Sequence, residues 1–251
     1  MVTFLGAGPG DPELLTLKGA KALSSADVVI YAGSLVSPAL LGFCKEGCTI
    51  YNSAEMTLEQ VIDRMAEAHR KGQALVRLHT GDPCLYGAIR EQMDALKSLS
   101  IPFTVIPGVS SFSGAAAAVE AEYTLPGVSQ SVIITRLAGR TPVPETEQLR
   151  LLASHGCTMV VFLSAGMLGR VQEELLAGAY SENTPAALVY KATWPEEKVV
   201  RCPLGLLSET GRIHQITNTA LVLVGDFLGD HYERSKLYDP SFTTGLREGT
   251  P

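Results

Sequence analysis

Short apolar runs alternate with amphipathic stretches along nearly the whole chain, and this alternation most narrows the folds open to it. Runs at Val2–Leu5, Asp27–Tyr31, Ala74–His79 and Phe103–Ile106 have strand length and strand composition. Helix signals fall between them. Thr16 is an N-cap for a helix from about Leu17, and Ser37-Pro38 offers a cap followed by proline at the first helical position. Thr57-Leu58-Glu59-Gln60 is a capping box that opens a helix with Val61, Met65 and Ala68 on one face and Gly72 at its end. Ile89, Met93 and Leu96 mark a further helical stripe. A second series follows, with strands at Ser131–Arg136, Thr158–Leu163, Ala186–Lys191 and Ala220–Val224 and helices at about Glu145–Ser154 and Leu168–Ala177. Trp194-Pro195-Glu196-Glu197 reads as a hairpin turn into a strand at Lys198–Arg201. The expected architecture is α/β, with two domains built on mainly parallel open sheets. The N-terminal domain takes residues 1–112 and the C-terminal domain 129–226. A small-residue helix (Ser111–Ala121) and a loop (Tyr123–Val128) provide a connection over 113–128, and 227–251 form a polar surface tail.

Of the 251 residues, 46% are hydrophobic and 18% charged, enough apolar side chain to build real cores. The net charge of −6 argues against a general nucleic-acid binder, which carries a basic stripe. No apolar run reaches the roughly 18 residues of a membrane span. The opening MVTFLGAGPGD has no basic region or cleavage-like segment, so no secretory signal is expected. Five scattered cysteines (Cys44, Cys48, Cys84, Cys157, Cys202) suit a reducing cytosol. Cys44 and Cys48 lack a second pair or a nearby histidine, so no metal site is expected there.

Gly6-Ala7-Gly8-Pro9-Gly10-Asp11 follows the first strand and invites a dinucleotide-binding reading. The G-x-G-x-x-G pattern needs glycine where Asp11 stands, with a helix opening at once beneath the pyrophosphate. Pro9 removes a backbone donor, Asp11-Pro12 turns the chain away from helix, and the helix signal waits until Thr16. The loop is therefore not of the Rossmann type. Two similar loops follow later strands: Thr80-Gly81-Asp82-Pro83 and Pro107-Gly108-Val109-Ser110-Ser111. Ligands of open α/β sheets sit outside the carboxyl ends of the strands, so three such loops predict one small-molecule crevice.

GAGPGD, TGDP followed by a Tyr-Gly pair, and PGVSS, in that order, resemble the S-adenosylmethionine (SAM)-dependent tetrapyrrole (corrin and sirohaem) methylases, class III methyltransferases with a non-Rossmann fold. The resemblance runs from about Val2 to Gly225. Arg140–Glu145 (RTPVPE) and Tyr190–Pro195 (YKATWP) are similar to the branch acting at C11 of precorrin-4 or cobalt-precorrin-4, in cobalamin biosynthesis. The resemblance implies a cytoplasmic homodimer of two α/β domains with SAM in the cleft between them. Carried over by position, it implies cofactor contacts at Pro9, Gly81, Asp82, Leu85, Tyr86, Ser110 and Ser111. In the second domain it implies contacts at Leu163, Ala192, Thr219 and Ala220.

Methyl transfer from a sulfonium to an electron-rich pyrrole-type carbon asks mainly for proximity and orientation. The usual nucleophile motifs are absent: Phe112 stands where G-x-S-x-G needs glycine, and no H-E-x-x-H occurs. A precorrin bears many carboxylates, which makes Arg77, Arg90, Arg136, Arg140 and Lys191, on or beside strand ends, candidate substrate contacts. Asp82 is the leading functional side chain, against the plainer role of shaping a turn. His79 is either a proton acceptor or a satisfied strand-end histidine. The alternatives are a methylase of another position (uroporphyrinogen-III or precorrin-2), a dinucleotide-dependent oxidoreductase, and a non-catalytic binder of SAM or tetrapyrrole.

Overall fold

The computed structural model describes residues 1–250, and contacts divide them into two compact units. The first unit holds 1–114 and 191–197, and the second holds 115–190 and the chain from 198 onward.

The first unit contains β1 (Val2–Gly6), α1 (Leu17–Ser25), β2 (Val28–Tyr31), β3 (Thr49–Asn52), α2 (Leu58–Arg70), β4 (Leu75–His79), α3 (Ile89–Ser98), β5 (Phe103–Ile106) and the start of α4 (Ser111–Ala118), alternating as expected except at β3, an unexpected strand joined to β2 through 3-10 turns. Their sheet is wholly parallel, in the order β3-β2-β4-β1-β5. That order differs from the 3-2-1-4-5-6 of a classic dinucleotide-binding sheet. Two of the three expected caps are present; Ser37 makes no side-chain capping bond, and Pro38–Phe43 after it is a 3-10 helix. The Thr16 hydroxyl accepts the Gly19 N–H at 3.0 Å, and Thr57 and Gln60 form the reciprocal capping box. Gly72 takes φ +69° just past α2, as a helix stop does. Side chains on the two sheet faces make separate cores. Phe4, Ile30 and Leu75 pack with Val61 and Met65 of α2 and Leu96 of α3, while Leu5, Val29 and Leu78 pack with Leu23 of α1.

The second unit contains β6 (Val132–Arg136), α5 (Leu149–Ala153), β7 (Thr158–Phe162), α6 (Leu168–Leu176), β8 (Pro185–Tyr190), β9 (Lys198–Pro203), α7 (Leu207–Ile213) and β10 (Ala220–Val224). Its sheet, ordered β6-β7-β10-β8-β9, corrects the expectation of mainly parallel pairing in both halves. Only β6 and β7 run parallel, while β10 is antiparallel to both β7 and β8, and β8 to β9. The turn between β8 and β9 makes their antiparallel pairing obligatory. The helix expected over Glu145–Ser154 is split, because Gln148 is extended (φ −58°, ψ 138°) and only Leu149–Ala153 is α-helical. The tail starts later than expected. Phe227 and Leu228 are buried, with the Phe227 ring against Tyr123, whereas Tyr238 and Leu246 lie exposed. Among the described residues, no helix is long and apolar enough to cross a membrane.

Candidate active site

The three glycine-bearing loops leave adjacent strands β4, β1 and β5, and their backbones touch. Gly8 and Gly81 form an antiparallel bridge, with N–H groups donating in both directions at 3.2 and 2.9 Å. A methyl group built on Gly6 would stand 2.5 Å from the Gly108 nitrogen and 2.6 Å from the Gly81 oxygen. Glycine is required here because three main chains pass where a side chain would be.

Asp82 fastens this junction. Its Oδ1 accepts the Cys84 N–H at 2.8 Å and its Oδ2 accepts the Gly108 N–H at 3.0 Å. The carboxylate therefore shapes its own turn and also ties the second loop to the third. Beyond it, Leu85 is half-buried, and Tyr86 is 44% exposed with φ +57°. Ser110 is buried and Ser111 half-buried where α4 begins. Pro9 is buried, its carbonyl accepting the Trp194 indole N–H at 2.9 Å. Ala192, expected with the second domain, belongs to the segment 191–197, whose contacts lie in the first unit.

In the second unit the sheet register lines up the remaining candidates along one end. Arg136 sits opposite Phe162, and Ala220 opposite Tyr190. The register of β10 on β7, with Val222 opposite Val161, brings Ala220 level with Leu163 just past β7. Leu163 is 65% exposed at φ +53°, and Thr219 has φ +48°. A bulky residue held in the left-handed region is costly and persists where the surroundings impose it, often at functional sites. Tyr86, Leu163, Lys191 and Thr219 are four candidates that share this strain.

The candidate cations separate. Arg77 is buried on β4, its guanidinium donating to Gln92 Oε1 and the Ile30 carbonyl, both at 3.2 Å, and burial lowers its pKa to about 10. Arg90 lies on the outer face of α3, paired with Asp94 at 2.7 Å. Neither reaches the loop junction: Arg77 serves the interior of the unit and Arg90 an exposed i,i+4 pair. Arg136 donates to the Thr141 and Pro142 carbonyls at 3.2 and 2.6 Å, so it holds the RTPVPE segment. Arg140 is exposed, and the Lys191 ammonium lies 5.0 Å from the Trp194 ring centroid.

The sequence profile of the Tetrapyrrole (Corrin/Porphyrin) Methylases matches residues 1–208. The chain belongs to this family. It is 53% identical over 248 residues to the cobalt-precorrin-4 C(11)-methyltransferase of Methanocaldococcus jannaschii, covering 98% of this chain and 96% of that one. The X-ray structure of the cobalamin biosynthetic enzyme cobalt precorrin-4 methyltransferase, CbiF, superposes with a TM-score of 0.89 at 47% identity, over 91% of this chain and 96% of that one. The Thermus thermophilus uroporphyrin-III C-methyltransferase, solved with S-adenosyl homocysteine, gives a TM-score of 0.75 at 29% identity, over 90% and 98% of the two chains.

In this tetrapyrrole methylase, His79 lies in the interior of the first unit. It is 3% exposed, and its Nε2 has no hydrogen-bond partner. Burial, reinforced by the charge of Arg77, pushes its pKa from 6.5 down to about 3. The unfolded chain protonates near the ordinary value while the folded one resists. This residue's contribution to stability is therefore complete above pH 6.5 and is lost progressively as pH falls towards 3. At pH 5 the loss amounts to about 2 kcal/mol. Urea unfolding of His79→Phe should accordingly show a smaller stability difference between pH 7 and pH 5 than the parent; an equal difference would refute the assignment. The two thiols of C-x-x-x-C, by contrast, are held protonated, burial pushing Cys48 up to about 11 and raising Cys44 as well.

Sequence reasoning missed Thr193 as a site residue and used Trp194 only within the YKATWP stretch and as part of a turn. Thr193 Oγ1 accepts the Asp11 N–H at 3.0 Å, alongside the indole bond to Pro9. Asp11 carries no sign of this remote partner, and the available hint was a lone tryptophan placed in a turn.

Proposed function

We propose that this methyltransferase transfers the methyl group of SAM to C11 of cobalt-precorrin-4, a step of cobalamin biosynthesis. One observation carries the reading: the three loops meet main chain to main chain at Gly6, Gly81 and Gly108, in a chain that matches a cobalt-precorrin-4 C(11)-methyltransferase over nearly its full length. The weaker likeness to a uroporphyrin-III methylase, TM-score 0.75 against 0.89, favours C11 over another ring position. A dinucleotide oxidoreductase is disfavoured by the strand order and by the missing helix behind GAGPGD.

The junction fits a small polar donor, because glycine backbones approach closely without side chains between them. When bound, SAM supplies an electrophilic methyl on sulfonium, and the bonding pair stays on sulfur as the carbon of the acceptor takes the methyl. The chain's residues then have to bind, orient and exclude water. In the first unit we assign donor contacts to Pro9, Gly81, Leu85, Tyr86, Ser110, Ser111 and Ala192, with Asp82 holding two of the loops together. Leu163, Thr219 and Ala220 carry the same assignment on the second unit. Arg136, Arg140 and Lys191 are the proposed cations for substrate carboxylates. The same reading places the protein in the cytoplasm as a homodimer, so light scattering should give about twice the 26.7 kDa chain mass.

Incubation with carbon-13-methyl SAM and cobalt-precorrin-4 tests the activity. Mass spectrometry should show one added methyl and NMR should place it at C11, with one equivalent of S-adenosylhomocysteine formed. Methylation at another carbon, or none with this acceptor, would overturn the assignment.

A further inference from the structure

The connection between β8 and β9 is more than a turn. Within it the Trp194 N–H donates to the Lys191 carbonyl at 3.0 Å, the Glu197 carboxylate accepts the Thr193 N–H at 2.6 Å, and the Glu197 N–H donates to the Trp194 carbonyl at 3.0 Å. Lys191 and Thr193 sit at φ +48° and +70°, a strained arrangement that these bonds sustain. The strap grips the first glycine loop at three successive residues. The indole N–H donates to the Pro9 carbonyl, Thr193 Oγ1 accepts the Asp11 N–H, and a methyl on Gly10 would run into the indole ring. Gly114 completes the fit, since a methyl there would stand 3.0 Å from Pro9 Cβ and 3.2 Å from Thr193 Cγ2.

We propose that Trp194 and Thr193 are positioning residues that fix the Pro9–Asp11 segment in its donor-binding conformation. This rests on the reading that the first loop lies against SAM. The Gly8–Gly81 bridge anchors only the base of that loop, and the strap holds the segment beyond it. Without the strap, Pro9 and Gly10 would have to be ordered when SAM binds, and the affinity would fall by that ordering cost. The cost falls on SAM and not on the tetrapyrrole, which separates positioning from a general loss of structure.

Calorimetry and steady-state kinetics on Trp194→Phe, Thr193→Val and Thr193→Ser test this. Phe keeps the ring on Gly10 but loses the donor, Val keeps the shape but loses the acceptor, and Ser keeps the acceptor. Each lost neutral hydrogen bond should raise the SAM Kd and the KM for SAM about three- to ten-fold, leaving kcat and the tetrapyrrole KM near parental values, and Thr193→Ser should restore parental SAM affinity. Parental SAM affinity in folded Trp194→Phe and Thr193→Val would overturn the proposal, as would a KM for both substrates rising together. Should Trp194→Phe not fold, the Val and Ser pair reads the Thr193–Asp11 contact of the same strap. A parent protein that does not bind SAM would instead overturn the reading of the loops themselves.

Discussion

Asp82→Asn should weaken SAM binding by about 1.5–3 kcal/mol, roughly 10- to 150-fold in Kd, the scale of a hydrogen bond to a charged group. The carboxylate offers one oxygen to the Cys84 N–H and the other to the Gly108 N–H. An amide has a single acceptor oxygen, so its NH2 must face one of these donors, and one loop is released. If release of Gly108 is what matters, Asp82→Asn should lose SAM affinity while the unfolding midpoint moves little, because the turn and the loop are partly exposed. Calorimetry giving the parental SAM affinity in a folded Asp82→Asn protein would remove this residue from the site.

Gly6→Ala should be more damaging to structure. The added methyl meets only backbone, 2.5 Å from the Gly108 nitrogen and 2.6 Å from both the Gly108 Cα and the Gly81 oxygen, so no side chain can rotate aside. Strands β1, β4 and β5 would have to part at their ends, with an overpacking cost of about 1–3 kcal/mol and Tm lower by several degrees. Affinity for SAM should fall more than ten-fold, since all three loops move. Gly42→Ala is the control, because nothing lies within 4 Å of a methyl built there. Thermal unfolding and calorimetry on the pair should separate them clearly, and equal behaviour would mean that the close approach at Gly6 is not needed.

The first unit was largely legible because its signals are local. Capping residues, a helix-stopping glycine and alternating strand runs act within a few positions of one another. Strand β3 escaped because Thr49–Asn52 forms a half-exposed edge with little apolar pattern. Helix α7 escaped because Gly211 interrupts its propensity; the structure needs glycine there, since the Leu168 side chain occupies the space a Cβ would take. Strand direction in the second sheet was not legible, as hydrophobic periodicity carries no direction and β10 pairs with strands distant in sequence. In the site, Gly6, Gly81 and Gly108 were readable because close backbone approach selects one residue type. The strap was not, since Trp194 and Pro9 stand 185 positions apart and either residue alone is unremarkable. Nor was the strain at Leu163 and Thr219, whose side chains give no hint of a left-handed backbone. Arg77 shows the limit of placing cations by strand position: alternation put it on the inner face, among Gln92 and the Ile30 carbonyl.

The central claim is that the loops after β1, β4 and β5 form one seat for the methyl donor. A crystal structure of the protein with S-adenosylhomocysteine tests it most directly. The ligand should lie in contact with residues of 6–11, 80–86 and 107–111 together. Density for the ligand against only one of these loops, or elsewhere on the protein, would contradict the claim.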